Sequence, residues 1–226
     1  MAIEVCDSSQ LAKLAAERIA EALKTAISRN SAASLALAGG TTPRAAYEAL
    51  AKIPGIDWSK VSVYFGDERA VPPTHPDSNF SMAQAALFDR VALPAANIHR
   101  IEAEGADHDA TARAYEALLP ASISVMVLGI GEDGHTASLF PGSPALDERT
   151  RLVLPVIGPK PPPQRLSITP PVIEAAGLCI MIANGAGKAE PVRRALKEPL
   201  DIHNTPSGLA RDGLWLLDHA AAALLG

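Results

Sequence analysis

Residues 34–50 of the chain read SLALAGGTTPRAAYEAL, and this stretch decides the fold class. A short apolar run at 34–38 ends in two glycines, and a pattern of apolar residues at helical spacing then continues from Thr41 to Leu50. A buried strand, a glycine turn and a helix, in this order, form the repeating unit of parallel α/β sheets. The stretch therefore predicts an α/β protein.

The same alternation of strands and helices continues along the chain. Further strands are predicted at 61–65, 124–128, 152–156, 166–169, 178–183 and 215–217. Helices are predicted at 8–29, 78–91, 109–119 and 188–196, and the Ala-rich C-terminal segment is expected to close the chain as another helix. This order predicts a three-layer α/β fold whose mainly parallel sheet is covered by helices on both faces.

The proline-rich segment 158–164 is the only candidate linker. Strands are predicted directly on either side of it, and the composition does not change across it, so we interpret the segment as an ordered surface loop. We therefore expect residues 1–226 to form one domain, and we expect that domain to be a monomer.

Composition excludes several classes of partner. The 226 residues carry a formal net charge of −5 and only 4% aromatic residues, so neither a basic patch nor a base-stacking platform for nucleic acid is visible. Cys6 and Cys179 lack the spacing of a disulfide framework or zinc module, and the six histidines lack metal-ligand spacing. No stretch reaches the ~18 apolar residues of a membrane span. We expect a cytoplasmic protein that needs no metal, cofactor or membrane.

Ligands of such sheets bind beyond the carboxyl ends of the strands, so the turns that follow strands are the candidate sites. The turn Gly39-Gly40-Thr41-Thr42, followed by Arg44, offers backbone N–H groups and hydroxyls at the start of a helix, which suits a phosphate or carboxylate. An ordinary tight turn with a threonine as the helix N-cap explains the same residues equally well.

The turn at 129–134 reads GIGEDG and matches the glycine pattern of dinucleotide-binding proteins. The pattern requires a helix directly afterwards and an acidic residue about 20 positions later, but Pro141 stops any helix and residue 151 is arginine, which disfavours nicotinamide binding. His135 follows this turn, and Asp133 can orient its imidazole as a general base. The alternative is a structural histidine.

Two further turns carry charges. The run at 66–69 reads GDER, which is either a solvated turn with an internal ion pair or part of a site. The run at 184–188 reads NGAGK and lacks the residues of a nucleotide-binding P-loop. A positive charge at the start of a helix is unfavourable, so Lys188 destabilises the helix that it starts unless an anion lies nearby. Arg165 could bind the same phosphate as Lys188.

Taken together, these turns resemble the 6-phosphogluconolactonase family, the second enzymes of the oxidative pentose phosphate pathway. The segments that carry the resemblance follow the family's order and read LALAGGTTPRAAYEAL (35–50), VYFGDERAVPPTHPDSNFSMA (63–83), VMVLGIGEDGHTASLFPGSPAL (125–146), RLSITPPVI (165–173) and NGAGKAEPVRRAL (184–196). The resemblance implies a single domain with a modified Rossmann-like sheet, as in the glucosamine-6-phosphate deaminases and ribose-5-phosphate isomerases.

The resemblance also implies an activity, the hydrolysis of 6-phospho-D-glucono-1,5-lactone to 6-phosphogluconate. His135 matches the family's proposed general base, with Asp133 as its orienting carboxylate, and Arg69 matches a residue near the lactone end. The residues implied to bind the substrate and its phosphate are Gly39, Gly40, Thr41, Thr42, Arg44, Asp67, Asn79, Arg165 and Lys188. For Asn79, a role as a helix N-cap is the alternative.

Two other functions fit the same fold. Glucosamine-6-phosphate deaminases share the GG(S/T)TP and DGH turns but carry a glutamate before the proline that follows; here residues 136–141 read TASLFP, which disfavours a deaminase. A non-catalytic sugar-phosphate sensor is the second alternative. Such sensors usually carry a DNA-binding helix-turn-helix, and we expect the early first helix to leave no room for one. A sensor also has no need of His135.

Overall fold

The computed structural model describes residues 1–226, which form two sheets and the helices around them. The nine strands are β1 (Ala2–Cys6), β2 (Ala33–Leu37), β3 (Val61–Phe65), β4 (Asp67–Arg69), β5 (Val125–Gly129), β6 (Val153–Ile157), β7 (Gln164–Ile168), β8 (Cys179–Ala183) and β9 (Leu214–Asp218). The six α-helices are α1 (Ser8–Asn30), α2 (Thr41–Leu50), α3 (Asn79–Ala86), α4 (His108–Glu116), α5 (Pro170–Glu174) and α6 (Ala189–Lys197).

The main sheet is parallel throughout, in the order β1-β9-β8-β5-β2-β3. Every residue of β2 and β8 is buried, which explains why these strands are continuous apolar runs rather than alternating ones. The long helix α1 is amphipathic and buries Leu11, Ile19 and Leu23. The predicted α/β fold with a mainly parallel sheet is confirmed.

The order of the strands fixes where a ligand can bind. From β2 the chain moves to β3 on one side, and it later enters β5 on the other side of β2. The carboxyl ends of β2 and β5 therefore meet where the winding direction reverses, which is the crevice in which open α/β sheets bind ligands. The turn after β2 starts at Ala38, and the turn after β5 starts at Ile130.

A small antiparallel sheet, β4-β7-β6, lies beyond this crevice and corrects two expectations. The run 66–69 is not a solvated turn, because Asp67–Arg69 form a strand that pairs with β7. The strands at 153–157 and 164–168 pair with each other instead of joining the parallel sheet. The backbone of Gly66 connects the two sheets, donating to Leu37 O at 2.9 Å and accepting from Ile168 N at 2.9 Å.

The ends of the chain also differ from the expectation. The first strand, β1, was not predicted; it lies at the sheet edge against β9 alone, and Ile3 and Val5 are exposed. The Ala-rich segment after Asp218 forms turns instead of a helix, because so short a run cannot repay the cost of helix nucleation. None of the helices has the length and apolar character needed to cross a membrane.

Candidate active site

The loop after β5 presents His135 at the crevice. No helix follows its glycines; Gly134 adopts φ +96°, Gly134 N donates to Gly131 O at 3.0 Å, and Gly131 N donates to His135 O at 2.8 Å. The imidazole of His135 lies directly against Gly131, where a Cβ atom would overlap it. The glycine at 131 therefore serves close packing of the histidine rather than approach to a dinucleotide.

Asp133 and His135 form a hydrogen-bonded pair. Nδ1 of His135 lies 2.6 Å from Oδ1 of Asp133, which also accepts the backbone N–H of His135 at 3.1 Å. Partial burial opposes ionisation of Asp133, but the amide and imidazole of His135 outweigh it and lower the pKa of the carboxyl. The carboxylate favours the tautomer with hydrogen on Nδ1, which leaves Nε2 as the proton acceptor. The His135 side chain remains 30% exposed, so small molecules can reach it.

Phe140 joins His135 to the small sheet. Its ring centroid lies 4.7 Å from that of His135 and 5.6 Å from the guanidinium carbon of Arg165. Arg165 is buried in β7 and donates to the carbonyl oxygens of Lys160 and Pro162. Burial lowers the pKa of Arg165, against the opposing influence of Asp67. The guanidinium group stays charged at neutral pH.

Arg69 lies opposite Arg165 across the β4–β7 pair. Its Nη1 donates to Asp77 O at 2.7 Å, and its buried Nε has no acceptor within the protein. Two arginines on adjacent strands, neither in an ion pair with a carboxylate, concentrate positive charge on the small sheet, and Phe140 lies between Arg165 and the His135 ring. Such a charge suits an anionic ligand or a developing oxyanion.

The turn after β2 forms the opposite wall. Gly40, with φ +102°, is the N-cap of α2, so the interpretation of a threonine as N-cap is wrong. The backbone N–H groups of Thr41 and Thr42 have no acceptor within the protein, and Pro43 has no N–H. The hydroxyl of buried Tyr47 fixes the turn, because it bonds both the N–H and the carbonyl oxygen of Ala38 at 2.9 and 3.0 Å. The amides at this helix start are available to an anion.

Lys188 lies on the loop after β8, as the residue that precedes α6. The neighbouring Gly187 faces Glu132: a Cβ atom built on the glycine would lie 3.0 Å from Oε1 of Glu132. The loop of Lys188 therefore adjoins the loop of His135. Lys188 is half-buried and forms no ion pair. The described residues contain no cluster of three His, Cys, Asp or Glu side chains that could hold a metal ion.

A family model described as glucosamine-6-phosphate isomerases/6-phosphogluconolactonase matches residues 6–215. The chain belongs to this family. The matched range includes every strand-end turn described above and all of the candidate site residues.

Relatives within the family are similar over their whole length. The 6-phosphogluconolactonase of Nostoc sp. is 38% identical over 97% of this chain and 95% of its own. That of Mycobacterium tuberculosis is 37% identical over 97% of this chain and 96% of its own. The solved structure of 6-phosphogluconolactonase from Trypanosoma brucei is 29% identical, with a TM-score of 0.89 over 100% of this chain and 98% of that one.

Three predicted site residues contact other groups of the protein. The Asp67 carboxylate is buried and accepts from Ser138 Oγ at 2.6 Å and from Asn79 Nδ2 at 3.1 Å. Asn79 is also buried, packs against Gly39, and is not the N-cap of α3, because Ser78 holds that position. Arg44 is exposed and pairs with Glu48 on its own helix.

Several residues that shape the site were missed from the sequence. Phe140 and Ser138 lie in the DGHTASLFP run, where the resemblance marked the segment but gave no role to either side chain. Arg194 lies on α6 and donates from Nη2 to the carbonyl oxygen of Asp133 at 3.1 Å. No local pattern reveals this contact, because 61 residues separate the two positions.

Proposed function

We propose that this chain is a 6-phosphogluconolactonase, which hydrolyses 6-phospho-D-glucono-1,5-lactone to 6-phosphogluconate. The observation that carries the proposal is the hydrogen-bonded pair of Asp133 and His135, connected through Phe140 to Arg165, which pairs across two strands with Arg69; neither arginine has a carboxylate partner. Full-length relatives that bear this name in Nostoc sp. and Mycobacterium tuberculosis support it. The substrate is a sugar ester that carries a phosphate, so the site needs both a base and cationic groups.

His135 acts as the general base in this proposal. Its Nε2 takes a proton from water while the water oxygen attacks C1 of the lactone, which gives a tetrahedral intermediate with an oxyanion. The bond from C1 to the ring oxygen then breaks, and the imidazolium returns its proton to that oxygen, which becomes a hydroxyl. Asp133 stabilises the imidazolium and keeps Nδ1 protonated. The product is a carboxylic acid that ionises in water and releases the proton.

Arg69 is assigned to the lactone end of the substrate. It projects from the small sheet and carries a buried Nε without an acceptor, so one of its donors is unused by the protein. We propose that it faces the carbonyl oxygen during attack and the product carboxylate afterwards. A positioned donor at a developing oxyanion contributes more to the transition state than to the ground state.

The phosphate end of the substrate is assigned to a second set of donors. Its proposed ligands are the amides and hydroxyls of Thr41 and Thr42 in the Gly39–Gly40 turn, together with Arg165 and Lys188. Asp67 and Asn79 support this end indirectly, since Asn79 packs against Gly39 and binds Asp67. Arg44 pairs with Glu48 at the surface, and its assignment to the substrate stays a prediction of the resemblance.

The activity can be tested with lactone generated freshly from glucose 6-phosphate, because the lactone also hydrolyses spontaneously. Acid release above the spontaneous rate, unaffected by a chelator, is expected from this protein. Ammonia release from glucosamine 6-phosphate would instead support deaminase chemistry. Binding of 6-phosphogluconate without accelerated acid release would support a sensor.

A further inference from the structure

Arg194 is the one side chain from a distant segment that donates a hydrogen bond to the loop of Asp133 and His135. Within the loop the hydrogen bonds are local, from Gly134 N to Gly131 O and from Gly131 N to His135 O. Gly131 and Gly134 lie on either side of the acidic pair Glu132-Asp133, and the Asp133 side chain is 43% exposed. The loop's own chemistry therefore gives little resistance to a shift of the carboxylate.

Two contacts from distant segments hold successive carbonyl groups of this loop. Arg194 Nη2 donates to Asp133 O at 3.1 Å, and Ser207 N donates to Gly134 O at 3.0 Å. Arg194 is fixed in turn by the carbonyl oxygen of Asn204, which accepts from Nη1 at 3.2 Å. The guanidinium thus connects α6, the segment before Ser207 and the loop of the histidine.

The chemistry of Arg194 differs from that of an ordinary surface arginine. It forms no ion pair, and its Nε is buried without an acceptor. Its neighbour Arg193 directs its guanidinium to Glu190 and Glu198 on the protein surface. A buried, unpaired donor costs free energy, so Arg194 is a poor choice for stability alone.

We propose that Arg194 is a positioning residue for the reaction. By holding the carbonyl oxygen of Asp133, it fixes the backbone from which the carboxylate reaches Nδ1 of His135. It touches no part of the substrate. The inference rests on the proposed function for its kinetic consequence, but its structural consequence, the tautomer of His135, is measurable without any substrate.

The test compares Arg194→Ala with Arg193→Ala on the same helix. We expect kcat of Arg194→Ala to fall about 10- to 100-fold, because a misplacement of about 1 Å has an effect of this size, while KM changes less than about twofold. Arg193→Ala is expected to retain the parent's kcat. Arg194→Lys, which keeps one donor and the charge, should recover part of the loss and remains informative if the alanine variant fails to fold.

The second readout is the ¹⁵N NMR spectrum of the imidazole groups, with the His135 signals assigned by their absence from His135→Gln. In the parent we expect the tautomer with hydrogen on Nδ1, and in Arg194→Ala a mixture of both tautomers. Unchanged tautomer and unchanged kcat in a folded Arg194 variant would overturn the proposal. A parent without lactonase activity would refute the proposed function, but the tautomer comparison would still decide the role of Arg194.

Discussion

Replacement of Gly131 by alanine is the most direct structural perturbation of the proposed base. Ordinary van der Waals contact of a Cβ atom begins at 3.4 Å. An added Cβ atom at position 131 would be closer than this by about 1.4 Å to His135 Nδ1 and by about 1 Å to Asp133 Oδ1. Both groups must therefore move away from the added methyl group. Gly131 does not have a positive φ, so the substitution strains no backbone dihedral.

The expected consequence is a loss of turnover rather than of fold. A displacement of about 1 Å at a catalytic group costs about 100-fold in rate, so kcat for the lactone should fall by about that factor. The assay is acid release from fresh lactone, with thermal unfolding as a control for folding. Gly129→Ala is the matched variant, because no atom lies within 4 Å of the added methyl group. Equal kcat in Gly131→Ala and the parent would refute the placement of the base.

Two further predictions concern binding and stability. Lys188→Ala and Arg165→Ala should each raise KM with little change in kcat, since the phosphate is bound alike in the ground and transition states; an unchanged KM in both removes them from the phosphate site. Glu116 is partly buried, which opposes ionisation, but Arg151 and the amides of Leu152 and Val153 outweigh this and lower its pKa. Its stabilising contribution is present above the unfolded value of about 4.5 and is lost as pH falls through the lowered folded pKa. The urea midpoint should therefore drop less steeply below about pH 5 in Glu116→Gln than in the parent; equal slopes would contradict it.

The sequence predicted those parts of the fold that depend on local patterns. The unit from β2 to α2 was predicted because an apolar run, two glycines and a helical pattern are adjacent in the chain. The pairing of β4 with β7 was not, because Asp67–Arg69 is a polar strand of three residues whose partner lies about a hundred positions away. Its conformation is set by long-range hydrogen bonds rather than by its own residues.

The same distinction applies to the site. The proximity of Asp133 and His135 follows from their spacing of two residues, so the sequence was sufficient to predict it. The burial of Asp67 and Asn79 could not be predicted, because it depends on Ser138 and Gly39, which come from different loops; their assignment to the substrate site stays a prediction. The contact of Arg194 was missed because it also joins distant segments, and its acceptor is a backbone carbonyl that any residue at position 133 would supply.

The central claim is that His135 removes a proton from water during hydrolysis of the lactone. The direct measurement is acid release from freshly generated 6-phospho-D-glucono-1,5-lactone by the parent and by His135→Ala, each corrected for the spontaneous rate. A general base contributes about 100-fold or more, so we predict a fall of at least that size in kcat with an unchanged unfolding temperature. Hydrolysis by His135→Ala at the parent's rate would contradict the claim.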